Sequence, residues 1–424
     1  MRVKVAYGRG SLAFSLPGPR FLGTLINEPA ACKHLKALLS EAFNKPLGRR
    51  GLGNVLKNKR TALIVVPDNT RHAHLEKILP YLLRKMDGKG LAIDIIVATG
   101  LHKVHTGPQL SKLLGSRIVK NYRVLSHGLD SNAIVRLGRT RKGVPITLDR
   151  NLFRYDVVLS IGVIEPHLYA GYSGGVKTVS IGLAGEDTIN DTHGIRFLDD
   201  PNVAIGSIAR NPFQQALKEI ASKVPLGFSV NVVNGHDGRA VKAFCGETEA
   251  VFDKGAKFAR NIYEVTARKQ ADIVICGVGY PKDINLYQAS RAINYVANVD
   301  RPVLRRGGVL IVAAELKEGT GQSPAELKFY EKLKRMGSPE TFINMVKRCG
   351  CKAGEHRAYM VAGSLRHYEI IFVSGASSGA LLKGLPFRHF TTMSDAIGYA
   401  DSIVGKDAKV YAIPHALATV ARVR

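Results

Sequence analysis

The stretch TALIVVPDNTR at residues 61–71 decides the fold class, because an unbroken apolar run ends directly in polar side chains. A continuous run of this length, rather than an alternating one, is typical of a strand buried on both faces of a mainly parallel sheet. Similar runs recur along the chain, and many precede a helical pattern, which predicts repeated βα units and an α/β fold. The strands predicted in this way are Thr61–Val66, Ile93–Ala98, Asp156–Gly162, Ala271–Gly277, Gly308–Ala313, Glu369–Ser374 and Lys409–Ile413.

The length of the chain indicates two domains, since one hydrophobic core stops growing well below 424 residues. A charged stretch at residues 253–268 precedes a new predicted strand, so we place the domain boundary near residue 265. The prediction is an N-terminal α/β domain at 1–265 and a C-terminal α/β domain at 266–424, each with a mainly parallel sheet and flanking helices. Two such domains form a cleft, and we expect the active site in this interdomain cleft.

The charge balance is strongly basic. Lysine and arginine outnumber aspartate and glutamate by 61 to 34, which gives a net charge of +27 and a pI near 10.0. Such a surface fits a positive cleft that attracts small anions, or nucleic-acid binding through phosphate neutralisation. The basic residues are spread along the chain with one denser run at 49–60, and tryptophan is absent. A non-enzymatic binder of nucleic acid or anions is therefore the weaker alternative to an enzyme.

The cysteines and the termini point to a cytoplasmic protein. The chain has five cysteines, of which only Cys349 and Cys351 lie close together, so neither a disulfide framework nor a paired CxxC metal site is indicated. There is no run of about twenty apolar residues that would span a membrane. The start, MRVKVAYGRGSLAF, lacks the apolar region of a signal peptide. We expect a soluble chain in a reducing compartment, with no membrane partner.

Reactive side chains follow three successive predicted strands. Asp68-Asn69-Thr70-Arg71 follows the first, Thr99-Gly100-Leu101-His102 the second, and Glu165-Pro166-His167 the third. Because ligands of open α/β sheets bind beyond the carboxyl ends of the strands, we expect these loops to meet in one site. Taken alone, Asp68 and Thr70 could cap a helix near Leu75, and an isolated histidine is often a surface residue. Their joint placement favours a shared pocket.

A glycine-rich segment follows the third of these loops and reads GYSGGVK at 171–177. Gly171, Gly174 and Gly175 would let backbone amides approach a phosphate, or they could simply form a tight turn. Lys177 could contact a phosphate, serve as a nucleophilic amine or lie on the surface. His193, sixteen positions further on, is compatible with ligation of a single metal ion.

The same segment contains GYSGG at 171–175, which matches the G-x-S-x-G pattern of α/β-hydrolases. In those enzymes the serine sits on a sharp turn that leaves a strand directly. Here Pro166, His167 and several loop-like residues separate the apolar run from Ser173. A serine hydrolase using Ser173 is therefore a less favoured alternative.

In this order the motifs resemble those of the lactate racemase family, whose members use a nickel-pincer nucleotide. The resemblance covers most of the chain and implies a racemase or epimerase of a small 2-hydroxy acid. Its carriers are DNTR at 68–71, ATGLH at 98–102, EPH at 165–167, GYSGGVK at 171–177, His193, and GYPKDINLYQASR at 279–291.

The resemblance implies a cofactor in which pyridinium-3,5-bisthiocarboxylic acid mononucleotide holds nickel. Lys177 corresponds to the lysine that tethers this cofactor covalently, and His193 to the histidine that completes the coordination of the metal. Sulfur and imidazole donors suit nickel in a square plane. Proteins that make the cofactor would be partners of the chain. The other implied cofactor contacts are Asp68, Asn69, Thr70, Arg71, Ser173, Gly174 and Gly175.

The resemblance also implies the roles of the remaining site residues. His102 and His167 correspond to two acid/base histidines, one for each face of the substrate carbon, while a hydride moves to the cofactor and back. Imidazole suits this role because its pKa lies near neutrality. Arg71 would hold the substrate carboxylate with its planar fork. Further substrate contacts are implied for Tyr287, Gln288 and Arg291.

The chain departs from the pattern of lactate racemase at several positions. Arg291 stands where lactate racemase has a substrate-contacting lysine, and the two side chains differ in size and hydrogen-bond geometry. Val176 and Ser180-Ile181 replace the more usual arginine and Leu-Pro pair around Lys177. We therefore expect the preferred substrate to be a 2-hydroxy acid other than lactate.

Overall fold

The computed structural model describes residues 1–27, 34–351 and 355–424, in which short strands alternate with helices. The strands are β1 (Arg2–Tyr7), β2 (Gly10–Ser15), β3 (Phe21–Thr24), β4 (Thr61–Pro67), β5 (Ala92–Ala98), β6 (Arg123–Ser126), β7 (Ile134–Arg139), β8 (Pro145–Asp149), β9 (Val157–Val163), β10 (Pro166–His167), β11 (Gly171–Tyr172), β12 (Leu226–Asn234), β13 (Ala240–Gly246), β14 (Glu264–Ala267), β15 (Ala271–Gly277), β16 (Leu304–Ala313), β17 (Glu369–Val373), β18 (Arg388–Phe390), β19 (Val410–Ile413) and β20 (Val420–Val423).

The helices lie mostly between these strands. They are α1 (Leu35–Asn44), α2 (Leu52–Leu56), α3 (Leu75–Met86), α4 (Gly107–Leu114), α5 (Ser116–Asn121), α6 (Lys177–Ser180), α7 (Glu186–Thr192), α8 (Ile195–Leu198), α9 (Pro212–Ala221), α10 (Thr248–Tyr263), α11 (Leu286–Ala289), α12 (Arg291–Ala297), α13 (Pro324–Lys334), α14 (Pro339–Cys349), α15 (His356–Leu365), α16 (Gly379–Leu382) and α17 (Met393–Val404). Within the described ranges, no helix is both long enough and apolar enough to cross a membrane.

Two compact units make up the described chain. The first unit comprises the described residues of Glu28–Thr192 and Ser207–Ile262, and the second comprises Met1–Asn27, His193–Gly206 and the described residues of Tyr263–Arg424. This division differs from the predicted domains 1–265 and 266–424, although the chain leaves the first unit close to the predicted boundary. The N-terminal segment joins the second unit because β3 pairs with β19, and because Val3, Val5 and Phe14 pack in the core of that unit.

The first unit is built on a sheet with the strand order β13-β12-β9-β4-β5-β6. All pairs are parallel except β12 with β13, which is antiparallel. β4 comes first along the chain, β5 and β6 follow on one side of it, and β9 and β12 follow on the other side. The strand order therefore reverses between β4 and β9. Ligands of open α/β sheets bind at such a reversal.

The second unit contains a fully parallel sheet with the order β18-β17-β16-β15-β19-β3. Here the strand order reverses between β15 and β19. The predicted strands coincide with β4, β5, β9, β15, β16, β17 and β19 within a few residues, because their apolar runs are buried on both faces. The predicted α/β class with mainly parallel sheets is thereby confirmed.

Candidate active site

The carboxyl edge of the first sheet carries the three predicted loops, and hydrogen bonds join them to one another. Asp68 follows β4 and contacts His102, which follows β5. Arg71 in the first loop contacts Glu165, which follows β9. The backbone N–H of Gly100 donates to the carbonyl of Gly182 at 2.9 Å, which links the second loop to the segment after α6. The structure thus brings together the loops that the sequence predicted to meet.

Asp68 orients His102. Its Oδ2 lies 2.6 Å from Nδ1 of His102, and its Oδ1 accepts hydrogen bonds from the amide and the hydroxyl of Thr70, at 3.1 and 2.6 Å. The Asp68 side chain is 5% exposed, whereas that of His102 is 61% exposed. Asp68 therefore does not cap α3, whose N-cap residue is His74. A buried carboxylate on Nδ1 leaves Nε2 of an exposed imidazole available to take up a proton.

The protonation of Asp68 follows from its surroundings. Burial alone would raise the pKa of this carboxyl group, but hydrogen bonds from His102 and Thr70 and the charge of His102 outweigh it. The pKa of Asp68 therefore lies below its ordinary value of 3.8. At neutral pH the carboxylate is ionised, so it accepts a hydrogen bond from Nδ1–H of His102.

His167 is held in a different way. It lies in β10, is 9% exposed, and its Nδ1 accepts hydrogen bonds from the backbone N–H groups of Tyr169 and Ala170, at 3.2 Å each. An imidazole nitrogen accepts a hydrogen bond only when it carries no proton, so the ring proton is on Nε2. Its ring also packs near Phe213. Whereas Nε2 of His102 is a proton acceptor, Nε2 of His167 is a hydrogen-bond donor.

Arg71 is paired with Glu165, a partner that the sequence did not predict. The Nη1 atom of Arg71 contacts Oε1 of Glu165, and the two side chains are 22% and 15% exposed. The pair bridges the point at which the strand order reverses, because one residue follows β4 and the other follows β9. The expected pairing of Arg71 with a substrate carboxylate therefore has to coexist or compete with this contact. The remaining members of the first loop, Asn69 and Thr70, are exposed.

The glycine-rich segment is packed tightly against the rest of the first unit. A Cβ atom on Gly171 would lie 1.9 Å from the carbonyl oxygen of Ser207, and one on Gly174 would lie 2.6 Å from Oδ1 of Asn231. The amide of Gly175 donates to the same Oδ1 at 3.1 Å. These contacts explain the glycines through close packing and positive φ angles. Phosphate binding by this segment stays a prediction.

Ser173 is engaged with the backbone. Its Oγ donates to the carbonyl of Val163 at 2.8 Å and accepts from the amide of Glu165 at 3.2 Å, and the residue is 3% exposed. Within the described chain its hydrogen bonds are all with main-chain groups, and none is with a histidine. This environment suits a residue that holds the loop in place, and it argues against a serine nucleophile.

Lys177 begins α6 and is partly buried. The helix starts two residues after Gly175, and Ser180 at its end donates to the carbonyl of Leu217 at 2.8 Å. This anchoring attaches the short helix to α9 within the first unit. Lys177 therefore extends from a backbone that is fixed by neighbouring elements, close in sequence to the loops that carry the histidines.

The remaining predicted residues belong to the second unit. The ring of His193 lies 5.4 Å from that of His356, centroid to centroid. In the described ranges there is no group of three or more His, Cys, Asp and Glu side chains that could hold a metal ion. Metal ligation by His193 stays a prediction.

Tyr287, Gln288 and Arg291 follow β15, at the reversal of strand order in the second sheet. Gln288 lies in α11, whose first turn is capped by the Asn285 side chain. Nη1 of Arg291 donates to Oε1 of Gln288 and its Nη2 donates to the hydroxyl of Tyr295, both at 3.4 Å. The three predicted substrate contacts thus lie on adjoining short helices that follow β15.

Comparison with known proteins identifies the family. Residues 7–206 match the lactate racemase N-terminal domain, and residues 266–421 match the lactate racemase C-terminal domain. The chain belongs to the lactate racemase family. It is 28% identical to the lactate racemase of Thermoanaerobacterium thermosaccharolyticum and 27% identical to that of Lactiplantibacillus plantarum, over 430 residues and 99% of each chain. As the motifs predicted, the chain is an isomerase.

The structural comparison agrees with this membership. The structure of the lactate racemase apoprotein from Thermoanaerobacterium thermosaccharolyticum matches the whole chain over its own whole length, with a TM-score of 0.91 and 27% sequence identity. A crystal structure of a protein from Thermotoga maritima matches 94% of the chain and all of its own length, with a TM-score of 0.69 and 16% identity. The second likeness concerns the fold alone.

Two features of this lactate racemase family member were not predicted from its sequence. Glu165 was placed in the third loop without a partner, and no role was predicted for Arg357. Arg357 lies over the ring of Tyr287, with 4.1 Å between its guanidinium carbon and the ring centroid. Neither pairing has a local sequence signal, because 94 and 70 positions separate the partners along the chain.

Proposed function

We propose that this chain is a nickel-dependent racemase or epimerase of a small 2-hydroxy acid. The observation that carries the proposal is the Asp68–His102 pair on a loop edge shared with His167, in a member of the lactate racemase family. Two relatives that match nearly the whole chain are lactate racemases. In the chain itself, His102 is an exposed base and His167 is a buried hydrogen-bond donor. Arg71 and Arg291 are cations that could bind a carboxylate.

The residues present fit a tethered nickel cofactor. Lys177 extends an amine from the fixed helix α6, and His193 offers one imidazole. The described chain has no cluster of protein ligands for a metal, so a group that brings its own sulfur and carbon donors suits it better than a bare ion. When bound through Lys177, the nickel-pincer nucleotide would supply a hydride acceptor for the substrate C2 atom.

The side chains of the first unit would handle the proton of the substrate hydroxyl. Nε2 of His102 accepts this proton as C2 is oxidised, and the Asp68 carboxylate stabilises the resulting imidazolium. Nε2–H of His167 donates a hydrogen bond to the substrate oxygen and polarises it. For His167 to act as a base through Nε2, its ring proton has to lie on Nδ1 instead. Nδ1 would then no longer accept hydrogen bonds from the amides of Tyr169 and Ala170. The two histidines therefore begin a turnover in unequal states.

Arg71, Arg291 and the side-chain amide of Gln288 would bind the substrate. Arg71 has a planar fork that can bind a substrate carboxylate while part of it stays with Glu165. From the second unit, Gln288 and Arg291 would contact the substrate, with Tyr287 beside them. The substrate is proposed to be a 2-hydroxy acid other than lactate, because Arg291 replaces a lysine of lactate racemase.

The decisive experiment measures configuration and isotope content together. Protein that has been co-produced with cofactor-making proteins and loaded with nickel is incubated in heavy water with each enantiomer of a panel of 2-hydroxy acids. We expect at least one acid to invert while C2 keeps its protium, because the hydrogen at C2 would be carried rather than exchanged. Inversion with deuterium at C2 would overturn the hydride route. No inversion of any acid by nickel-loaded protein would overturn the proposed function.

The proposal also concerns the cellular compartment of the protein and its need for cofactor-making proteins. The four cysteines that the structure describes are unpaired, at positions 245, 276, 349 and 351, which suits a reducing cytoplasm. Protein made without its cofactor partners should be folded but inactive. An intact mass with a nickel- and sulfur-containing adduct at Lys177 would support the tether, and an unmodified Lys177 in active protein would contradict it.

A further inference from the structure

Arg357 has a charged guanidinium group whose buried donors lack an acceptor. It lies in α15 of the second unit, and its Nε and Nη1 atoms are buried without a hydrogen-bond partner. The guanidinium lies over the ring of Tyr287 at 4.1 Å, and Phe329 packs edge-on against the same ring at 5.4 Å. Arginine stays protonated at any physiological pH, so burial cannot be relieved by losing the charge.

Glu355, just before α15, and Asp199, which contacts Tyr359 of α15, are engaged elsewhere. Glu355, two residues before Arg357, pairs with Lys332 at 3.4 Å. Asp199 pairs with Lys347 at 3.0 Å and accepts a hydrogen bond from the Tyr359 hydroxyl. Within the described residues, Arg357 therefore has no counter-ion. A buried donor of a charged group is costly unless it is paired, so its partner is expected to come from a ligand.

The position of Arg357 relates it to substrate binding. Tyr287, beneath the guanidinium, adjoins Gln288 in α11, at the carboxyl edge of the second sheet where ligands of such sheets bind. Arg291 in α12 also lacks a carboxylate among its described contacts, which are an amide oxygen and a phenol at 3.4 Å. The Tyr287–Gln288 segment thus carries two arginines whose charges are not neutralised by protein carboxylates. Two carboxylates of one ligand would neutralise both of these arginines.

We propose that Arg357 binds an oxyanion, and that this oxyanion is the second carboxylate of a 2-hydroxy dicarboxylic acid. The proposal rests on the proposed function for the identity of the first carboxylate and the hydroxyl. The same chemistry would also suit the phosphate of a nucleotide, so the two sources have to be separated by experiment. The contact with the Tyr287 ring holds the guanidinium in place, and a guanidinium can pair with both oxygens of a carboxylate.

The test measures binding rather than turnover. Nickel-loaded full-length protein is titrated in a calorimeter with malate as the probe dicarboxylate, with lactate and with inorganic phosphate. We expect malate to bind about tenfold more tightly than lactate, the factor of one extra hydrogen bond to a charged group. In Arg357→Gln this preference should disappear while lactate affinity is unchanged. Arg357→Lys should retain part of it, and Arg348→Gln, which removes an exposed charge from α14, should retain all of it.

Other outcomes would overturn the assignment. Equal affinities for malate and lactate in the wild type, or a malate preference that survives in Arg357→Gln, would show that Arg357 binds no second carboxylate. Phosphate binding that is lost in Arg357→Gln, without any effect on malate, would assign the site to a phosphate instead. Because binding is measured independently of racemisation, a malate preference in a protein that inverts nothing would sink the proposed function and leave the anion site standing.

Discussion

At the scale of single residues, the partners of the two histidines distinguish them. Nδ1 of His102 faces a carboxylate, whereas Nδ1 of His167 faces two backbone amides. The same side chain is thereby prepared as a base in one case and as a hydrogen-bond donor in the other. A histidine that is kept neutral can polarise a substrate oxygen as an electrophile, which is the role that this environment favours for His167. The sequence motifs alone present the two histidines as equivalent.

Asp68→Asn should weaken both the activity and the stability of the protein. We expect kcat to fall about 100-fold, within the range of general acid/base contributions, because His102 loses the anion that stabilises its imidazolium form. The free energy of unfolding should fall by about 1–3 kcal/mol at pH 7, the cost of losing hydrogen bonds to a buried charged group. Rates for the nickel-loaded protein and urea unfolding curves measure the two effects.

The pH dependence of the stability of Asp68→Asn tests the direction of the Asp68 pKa shift. The pKa of Asp68 is lowered by folding, so its contribution to stability is present above its ordinary value of 3.8 and is lost as the pH falls through the lower folded value. The stability difference between wild type and Asp68→Asn should therefore shrink as the pH falls below 3.8. A difference that grows below pH 3.8 would contradict the assigned pKa direction.

Gly171 should tolerate no side chain because a Cβ atom would clash with the backbone. Gly88 is the control for backbone strain without a clash. Gly171 and Gly88 have φ angles of +70° and +71°, but a Cβ on Gly171 would lie 1.9 Å from the Ser207 carbonyl, whereas one on Gly88 meets nothing within 4 Å. Gly88→Ala should cost about 1 kcal/mol from backbone strain alone. Gly171→Ala should cost about 2–4 kcal/mol more, through overpacking against backbone. Equal losses in the two variants would refute the steric explanation.

At the scale of elements, a buried pair joins three segments of the first unit. His127, directly after β6, is fully buried; its Nδ1 lies 2.8 Å from Oδ2 of Asp149 at the end of β8. Its Nε2 lies 3.1 Å from the carbonyl oxygen of Ala184, just beyond α6. Both ring nitrogens thus lie within hydrogen-bond distance of oxygen atoms. The hydroxyl of Thr99 donates to the carbonyl of His127 at 3.0 Å, which connects this pair to the loop of His102.

His127→Leu should strongly destabilise the protein. It leaves the Asp149 carboxylate buried without its main partner, which costs about 3–5 kcal/mol in comparable buried pairs. The double variant His127→Leu and Asp149→Leu should lose less than the sum of the two single variants, since it removes the unpaired charge. Urea unfolding of the four proteins measures the coupling. Additive losses would mean that the two side chains do not act as a pair.

At the scale of the whole molecule, the units are not continuous along the chain. The second unit takes its β1–β2 hairpin and its edge strand β3 from the first 27 residues, although most of it follows residue 262. Val3, Val5, Phe14 and Leu16 of this segment are buried in its core. A domain boundary drawn at a single position therefore cannot separate two complete folding units.

A fragment of residues 266–424, the predicted C-terminal domain, should not fold cooperatively. It would expose the edge of β19 and the apolar surface that the hairpin covers, since both partners lie in residues 1–27. Joining residues 1–27 to residues 263–424 through a flexible linker should restore at least part of a cooperative thermal transition, followed by circular dichroism. A sharp transition in the shorter fragment would show that the N-terminal segment is dispensable.

The sequence predicted the first-unit site well where the signal was local. The loops of Asp68, His102 and His167 meet at one sheet edge, because each directly follows a parallel strand whose apolar run was recognisable. The contacts between these loops could not be predicted from the sequence. Asp68 was equally compatible with a helix cap, and the pairing of Arg71 with Glu165 depends on β4 and β9 being neighbours although they are far apart along the chain.

By itself the sequence determined the α/β class, the position of the buried strands and the family, because apolar runs and ordered motifs are local properties of the chain. Only the tertiary structure decided which strands are neighbours, which side chain holds each histidine, and to which unit residues 1–27 and 193–206 belong. The physical reason is that these outcomes depend on hydrogen bonds and core packing between groups that are distant in sequence. No local pattern of residues encodes such partners.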